Sequence, residues 1–432
     1  VYRLALTTCV LVAIYIPLAS YLVPSLSSGE RGPVAFTRLQ AFLPWGGPAW
    51  RATARTSVRE WTGDPKLADA WILAALARYP LDPPLWLDRA ELAYGVGAPA
   101  DQVSALLRTA VSIMPEGHKV NWRAAMLALK VGQTEAAEGY LRRYLVAQPW
   151  QVGKVIGIGR HWISEPTALI AKLLPAGDTY LEALLVSACR WQDSLLAEAA
   201  WKRLAASHRV NSKAGVTYTE YLLRENRGAR AAQVWQAVEP DYRPGAIYNG
   251  DFSRSLKHRG GLDWQLGRVE GVTLTLNEEA YVSAPASLEV QFDGEHNSDL
   301  HVPKQLLPVT PGWRYVLSGQ WRGQGLTTRA LPYIQVVGYP KGALLGKVEA
   351  PTGGNWGNHG GSYWPWQEFA IEFRVPDDLS VVYVALRRQP TQNFDRFIKG
   401  QILLDDLVLE ARDERAERMS RVARPLGNGG WH

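Results

Sequence analysis

The hydrophobic period of this chain changes once, at Pro244-Gly245, and that change constrains the fold more than any other feature. Upstream, from about Arg51 to Glu239, alanine-rich amphipathic runs recur at helical spacing and are broken by Gly, Pro and Asp. Downstream, apolar residues mostly fall two apart. They run Leu274, Leu276; Leu288, Val290, Phe292; Tyr315, Leu317; Ile334, Val336; Phe369, Ile371, Phe373; Val382, Val384, Leu386; and Ile402, Leu404, Leu407, Leu409. Turn residues separate these groups, so the chain carries two architectures: a helical array and then a β-sandwich.

The helical half has a period of its own. Helices are expected to end at Tyr79-Pro80, Met114-Pro115 and Gln148-Pro149, and Leu92, Ala93 and Gly97 return as Leu127, Ala128 and Gly132. Gly132 with Ala136 and Ala137 is echoed by Gly228 with Ala231 and Ala232, whereas Trp150 to Gly177 is degenerate. A repeat of about 34 residues, with small residues at helix contacts and proline after the second helix, resembles the tetratricopeptide repeat. The resemblance is closest over Leu67 to Pro149 and implies an α-solenoid whose concave face holds a protein partner.

The N-terminal stretch Leu4 to Val23 carries no charge and follows Arg3, which predicts one membrane-spanning helix within residues 1–24. The expected topology is that of a single-pass protein of the bacterial inner membrane, touching lipid through this helix, with its soluble parts on the periplasmic side. The remaining expected divisions are an interfacial linker at 25–50, the helical repeats at 51–243, the sandwich at 244–411 and a charged tail at 412–432.

Motifs inside the sandwich narrow it. In order they are Tyr248-Asn249-Gly250-Asp251-Phe252, Ser287-Leu288-Glu289-Val290-Gln291-Phe292, Pro311-Gly312-Trp313-Arg314-Tyr315, Trp366-Gln367-Glu368-Phe369 and Leu403-Leu404-Asp405-Asp406-Leu407. This succession, over roughly residues 247–411, resembles the jelly-roll carbohydrate-binding modules found beside bacterial xylanases and cellulases. The resemblance implies a non-catalytic domain with a sugar cleft lined by aromatics and amides. Candidates for ligand contact are Trp264, Gln320, Trp321, Asn355, Trp356, His359, Tyr363, Trp364 and Gln389. It also implies a structural calcium near Asp251, Asp405 and Asp406, although Ser253 stands where the family usually has a glutamate.

The stretch Pro351 to Trp366 sets five glycines and four aromatic rings between two expected strands and reads as a presented loop. Catalytic fingerprints are absent: no phosphate-binding glycine loop, zinc-protease helix or nucleophile elbow occurs, and His296 and His301 merely share a loop with Asp299. The formal charge of +6 is carried by the helical half without a dense basic patch, which argues against a nucleic-acid partner. No enzymatic activity and no cofactor beyond the calcium are expected. Two functions fit: a scaffold for envelope or exopolysaccharide assembly that contacts glycan through the jelly roll, or an accessory subunit of a membrane complex whose jelly roll touches only protein.

Overall fold

The computed structural model describes residues 65–206, 212–258, 260–351 and 361–412. The expected anchor and linker and all but the first residue of the charged tail lie outside them. No helix among the described residues is long and apolar enough to cross a membrane. Two compact units divide between Leu184 and Leu185.

The first unit is helical: α1 (Pro65–Arg78), α2 (Pro83–Gly95), α3 (Ala100–Ile113), α4 (His118–Lys130), α5 (Thr134–Ala147), α6 (Val152–Gly159), α7 (Pro166–Leu173) and the start of α8 (Asp178–Arg190). Pairs α2/α3 and α4/α5 bury Leu85, Leu92, Val103 and Leu107, then Leu127, Ala128, Ala137 and Leu141. Each pair turns on a glycine with φ +77, Gly97 and Gly132, a conformation that costs other residues about 1 kcal/mol or more. The following amide reaches back to close the helix end: Ala98 N–H donates to Ala93 O at 2.9 Å and Gln133 N–H to Ala128 O at 2.8 Å. Arg123 of α4 ties the pairs together through Asp88 at 2.6 Å and Glu91 at 2.8 Å, both on α2. The degenerate stretch folds as α6 and α7, each only eight residues long.

In the second unit the same turn recurs without glycine. Between α8 and α9 (Ser194–Ala206) it is Gln192, φ +58, and between α10 (Ser212–Arg224) and α11 (Gly228–Val238) it is Asn226, φ +54. Asp193 N–H donates to Ala188 O at 3.0 Å and Arg227 N–H to Leu222 O at 2.8 Å, the same closure as in the first unit. The counterpart of Gly132 is therefore Asn226 rather than Gly228, because an amide side chain tolerates the left-handed region. Gly228 is reserved for a different contact, described below.

Among the described residues nine strands follow: β1 (Val272–Asn277), β2 (Ser287–Asp293), β3 (Lys304–Pro308), β4 (Arg314–Leu326), β5 (Tyr333–Gly338), β6 (Leu344–Glu349), β7 (Ser362–Arg374), β8 (Val381–Arg387) and β9 (Lys399–Arg412). They form two antiparallel sheets, ordered β1-β2-β9-β4-β7 and β3-β8-β5-β6, packed as a jelly roll. All seven apolar groups that alternate in the sequence are strands, with their apolar side chains facing the shared core. The motif at Tyr248 to Phe252 is a turn, with Asn249 and Phe252 at positive φ. It meets the last strand, Leu407 N–H donating to Gly250 O at 2.9 Å beside a bulge where Asp406 takes φ +48.

Candidate functional site

Three tryptophans expected at a ligand surface lie in the core instead. Trp264, Trp321 and Trp364 are each no more than 2 % exposed. Trp321 packs edge-on to Trp364 at 5.7 Å and to Phe369 at 5.6 Å, and Trp264 lies 5.5 Å from Phe252 while its Nε1–H donates to Asn249 O. Their surroundings are built for them: a Cβ on Gly323 would sit 2.3 Å from the Trp364 ring. Alternation along β4 and β7 turns Trp321 and Trp364 inward, a consequence of the two-residue period of a strand, whereas Trp264 precedes β1 and is held by its bond to Asn249 O.

The other candidates do not gather in one place. Asn355, Trp356 and His359 lie outside the described residues. Residues Ser362 to Trp366, read from the sequence as loop, open strand β7, where Tyr363 is 45 % exposed. Gln320, half-buried on β4, and Tyr363 alternate with core residues and so face outward from the five-stranded sheet. Gln389 is exposed in the loop after β8.

The carboxylates expected to hold calcium do not converge either. Asp251 and Asp406 line a cavity of about 320 Å³, and Asp251 Oδ1 accepts from Ser253 N–H and Oγ–H. Asp405 is fully buried with its carboxylate directed elsewhere: Oδ2 accepts the N–H groups of Val282 at 2.7 Å and Ser283 at 3.0 Å, and Oδ1 that of Asp406. Burial pushes its pKa up, against these three donors. Among the described residues no group of three His, Cys, Asp or Glu is placed to hold a metal ion. Calcium takes six to eight oxygens, so this donor set does not fit it; Asp405 instead anchors the loop before β2. His296 is likewise occupied, its Nδ1 2.7 Å from Asp293 Oδ2.

A cleft does form, on the outer face of the four-stranded sheet. Strand registers place Lys304, Ala385 and Gln335 in one row across β3, β8 and β5, Leu306, Tyr383 and Val337 in the next, and Arg387 with Tyr333 in a third. All point away from the core, being one residue out of phase with Leu307, Val384 and Ile334. Leu306 and Val337 are nonetheless buried. The α10/α11 pair packs against this side of the sandwich, α11 beside β3, and supplies the second wall of the cleft.

That pair is fixed to the sandwich at two places. At its turn, Asn226 Oδ1 accepts Ser380 N–H at 2.8 Å, Asn226 Nδ2 donates to Asp378 O at 2.9 Å, and Gly228 N–H donates to Ser380 Oγ at 3.0 Å. Along α11, fully buried Trp235 packs edge-on to Tyr248 at 5.6 Å and to His258 at 5.2 Å. Glu239 closes this joint, bonded to His258 Nε2 at 2.5 Å and Lys257 Nζ at 2.7 Å.

The resulting cleft holds about 450 Å³. Glu220 and Arg224 come from α10; Lys304, Gln335, Tyr383 and Arg387 come from the sheet, with Gln265 and Tyr339 at its margins. Asp299 pairs with Arg387, and Glu220 Oε1 accepts Gly261 N–H at 3.3 Å. Burial raises the pKa of the Tyr383 hydroxyl against the neighbouring Arg387 charge, so the phenol stays neutral. Of the cleft residues, Asp299 and His301 were noted in the sequence, as sharing a loop with His296, and none was expected at a ligand site. A signal existed, since an inward Val382, Val384 and Leu386 forces Tyr383 and Arg387 outward, but nothing local told which outer face a helix would wall.

Comparison with known proteins assigns no family. No family model and no curated protein matches the chain. Among solved structures, it is similar to the CBM22-1 xylan-binding domain of Xyn10C from Paenibacillus barcinonensis, at 14 % identity and TM-score 0.24 over 39 % of this chain and 97 % of that one. It is also similar to PilW, a widely conserved type IV pilus biogenesis factor, at 17 % identity and TM-score 0.24 over 46 % of this chain and 96 % of that one. The tetratricopeptide domain of P58(IPK) matches at 15 % identity and TM-score 0.21, over 50 % of this chain and 66 % of that one.

Proposed function

We propose that this protein is a non-catalytic scaffold of the bacterial inner membrane, anchored by Leu4 to Val23, that faces the periplasm. Its helical repeats hold a protein partner and its jelly roll contacts a polysaccharide during envelope or exopolysaccharide assembly. The observation that carries this reading is the walled cleft over the four-stranded sheet. Tyrosine rings offer flat apolar faces for sugar rings, and Gln265 and Gln335 offer paired donors and acceptors for hydroxyls. The cleft carboxylates, engaged by Arg387 and by a backbone amide, support binding rather than acid–base chemistry. The helical unit adds partner-sized features, with Tyr94 41 % exposed and Lys154 3.5 Å above the Trp122 ring.

The test is purification of the full chain in mild detergent, followed by a glycan array and identification of co-purifying proteins. Sugar binding that Tyr383→Ala abolishes, with a protein partner retained, is the expected result. Absence of any sugar binding would instead favour an accessory subunit that makes only protein contacts. One observation speaks for that second reading: Phe394 is fully exposed at the tip of a loop that buried Arg388 pins through Arg396 O.

A further inference from the structure

We infer that the cleft is a composite site for an acidic polysaccharide, a uronate-bearing chain held between Arg224 on the helical wall and Lys304 on the sheet; the inference rests on the glycan reading above. The charges lining the cleft decide the sign. Of three strong cations, Arg387 is neutralised by Asp299. Glu220 accepts the Gly261 amide but keeps its charge, so three cations face two carboxylates and the cleft has an excess of one positive charge. Arg224 and Lys304 take part in no ion pair among the described residues, and they come from the two opposing walls. Two cations free of ion pairs, on opposite walls of a trough with a net positive charge, concentrate anions and orient carboxylates by charge-assisted hydrogen bonds.

The neutral residues say what carries the carboxylate. The same cleft is lined by the Tyr383 and Tyr339 rings and the Gln335 amide, a surface that takes sugar rings edge and face alike. A uronate chain satisfies both sets at once, its pyranose faces on tyrosine and its carboxylates toward Arg224 and Lys304. Because Arg224 sits on α10, selectivity for the acidic sugar belongs to the helical pair, and the sheet alone supplies a weaker and less discriminating half.

The experiment is calorimetry and affinity electrophoresis of the full chain in detergent against polygalacturonate, its carboxyl-reduced counterpart, neutral xylan and poly-glutamate, in low and high salt. The expected result is binding of polygalacturonate that falls more than about tenfold on carboxyl reduction and weakens with salt. Arg224→Gln and Lys304→Gln should each lower it by roughly tenfold with unchanged thermal unfolding. Equal affinity for acidic and neutral chains would overturn this inference and leave the glycan reading intact. Equal affinity for poly-glutamate would overturn it as a sugar site, and indifference to both variants would overturn its location. Binding of no polysaccharide at all would remove the glycan reading together with it.

Discussion

Ser380 N–H donates to Asn226 Oδ1 at 2.8 Å across 154 residues of chain, so the turn of the last helix pair is also a docking element of the sandwich. The bond depends on the left-handed backbone of Asn226, since a right-handed residue there would swing the amide away. Replacement by glycine keeps that backbone and deletes the side-chain bonds; replacement by alanine deletes the bonds and adds strain. Asn226→Ala is expected to destabilise the sandwich by about 2–4 kcal/mol, with Asn226→Gly roughly 1 kcal/mol milder. Denaturant unfolding of the two variants separates the contributions, and equal losses would leave no role for backbone strain.

Gly228 offers a test of sign. At the start of a helix, exchanging glycine for alanine ordinarily stabilises by about 0.5–1 kcal/mol. Here the added Cβ would fall 2.1 Å from Ser380 O, a backbone atom held within the sandwich. Gly228→Ala should therefore lose at least about 1 kcal/mol by opening the joint. A rise in melting temperature would show that α11 shifts freely against the loop at Ser380.

The buried tryptophans separate folding from recognition. Trp364→Ala leaves a cavity between Trp321 and Gly323 and is expected to cost about 3–5 kcal/mol, while Tyr363→Ala, on the exposed side of the same strand, should change stability little. Ligand affinity measured per folded molecule should be the same in Trp364→Ala as in the parent. A selective loss of affinity at unchanged stability would return Trp364 to the binding surface.

Acid should loosen the joint at Glu239. Burial opposes its charge, but Lys257, His258 and Tyr248 outweigh that effect and hold its pKa below the ordinary carboxylate value. A carboxylate with a depressed folded pKa stabilises at pH above its unfolded value and loses that contribution as pH falls through the folded one. Glu198, held by Tyr218 and Arg230, behaves alike. Melting temperature should thus be flat from neutral pH down to about 5 and fall below about 4. Glu239→Gln should lower it at pH 7 and flatten the acid limb; an acid limb as steep as the parent's would assign it to other groups.

Much of the sandwich could be read from alternation, because each strand with one wet face repeats every two residues. The two strands that escaped notice fail that condition in opposite ways. In β3, Leu306, Leu307 and Pro308 are all buried, since helices cover the outer face, so no alternation survives. In β6 no side chain is fully buried, so the apolar signal is faint. The helical turns were legible where glycine marked them and invisible at Gln192 and Asn226, where an amide takes the same conformation. Aromatic residues misled for a related reason: composition marks Trp264, Trp321 and Trp364 as contact residues, strand phase reveals that Trp321 and Trp364 face inward, and Trp264, in the turn-rich segment before β1, carries no periodic signal at all. Glu220 and Arg224 could not be placed in any cleft beforehand, because helix-on-sheet packing is non-local.

The joint between α11 and the sandwich bears on how this protein may be taken apart. A fragment begun at the change of period, Pro244, would strip Trp235 from Tyr248 and His258 and expose Leu306 and Val337 to water. It would also turn a two-walled trough into an open shelf. Any excised jelly roll worth assaying must therefore begin upstream of α10, so the smallest ligand-competent piece straddles the line at which the sequence itself divides.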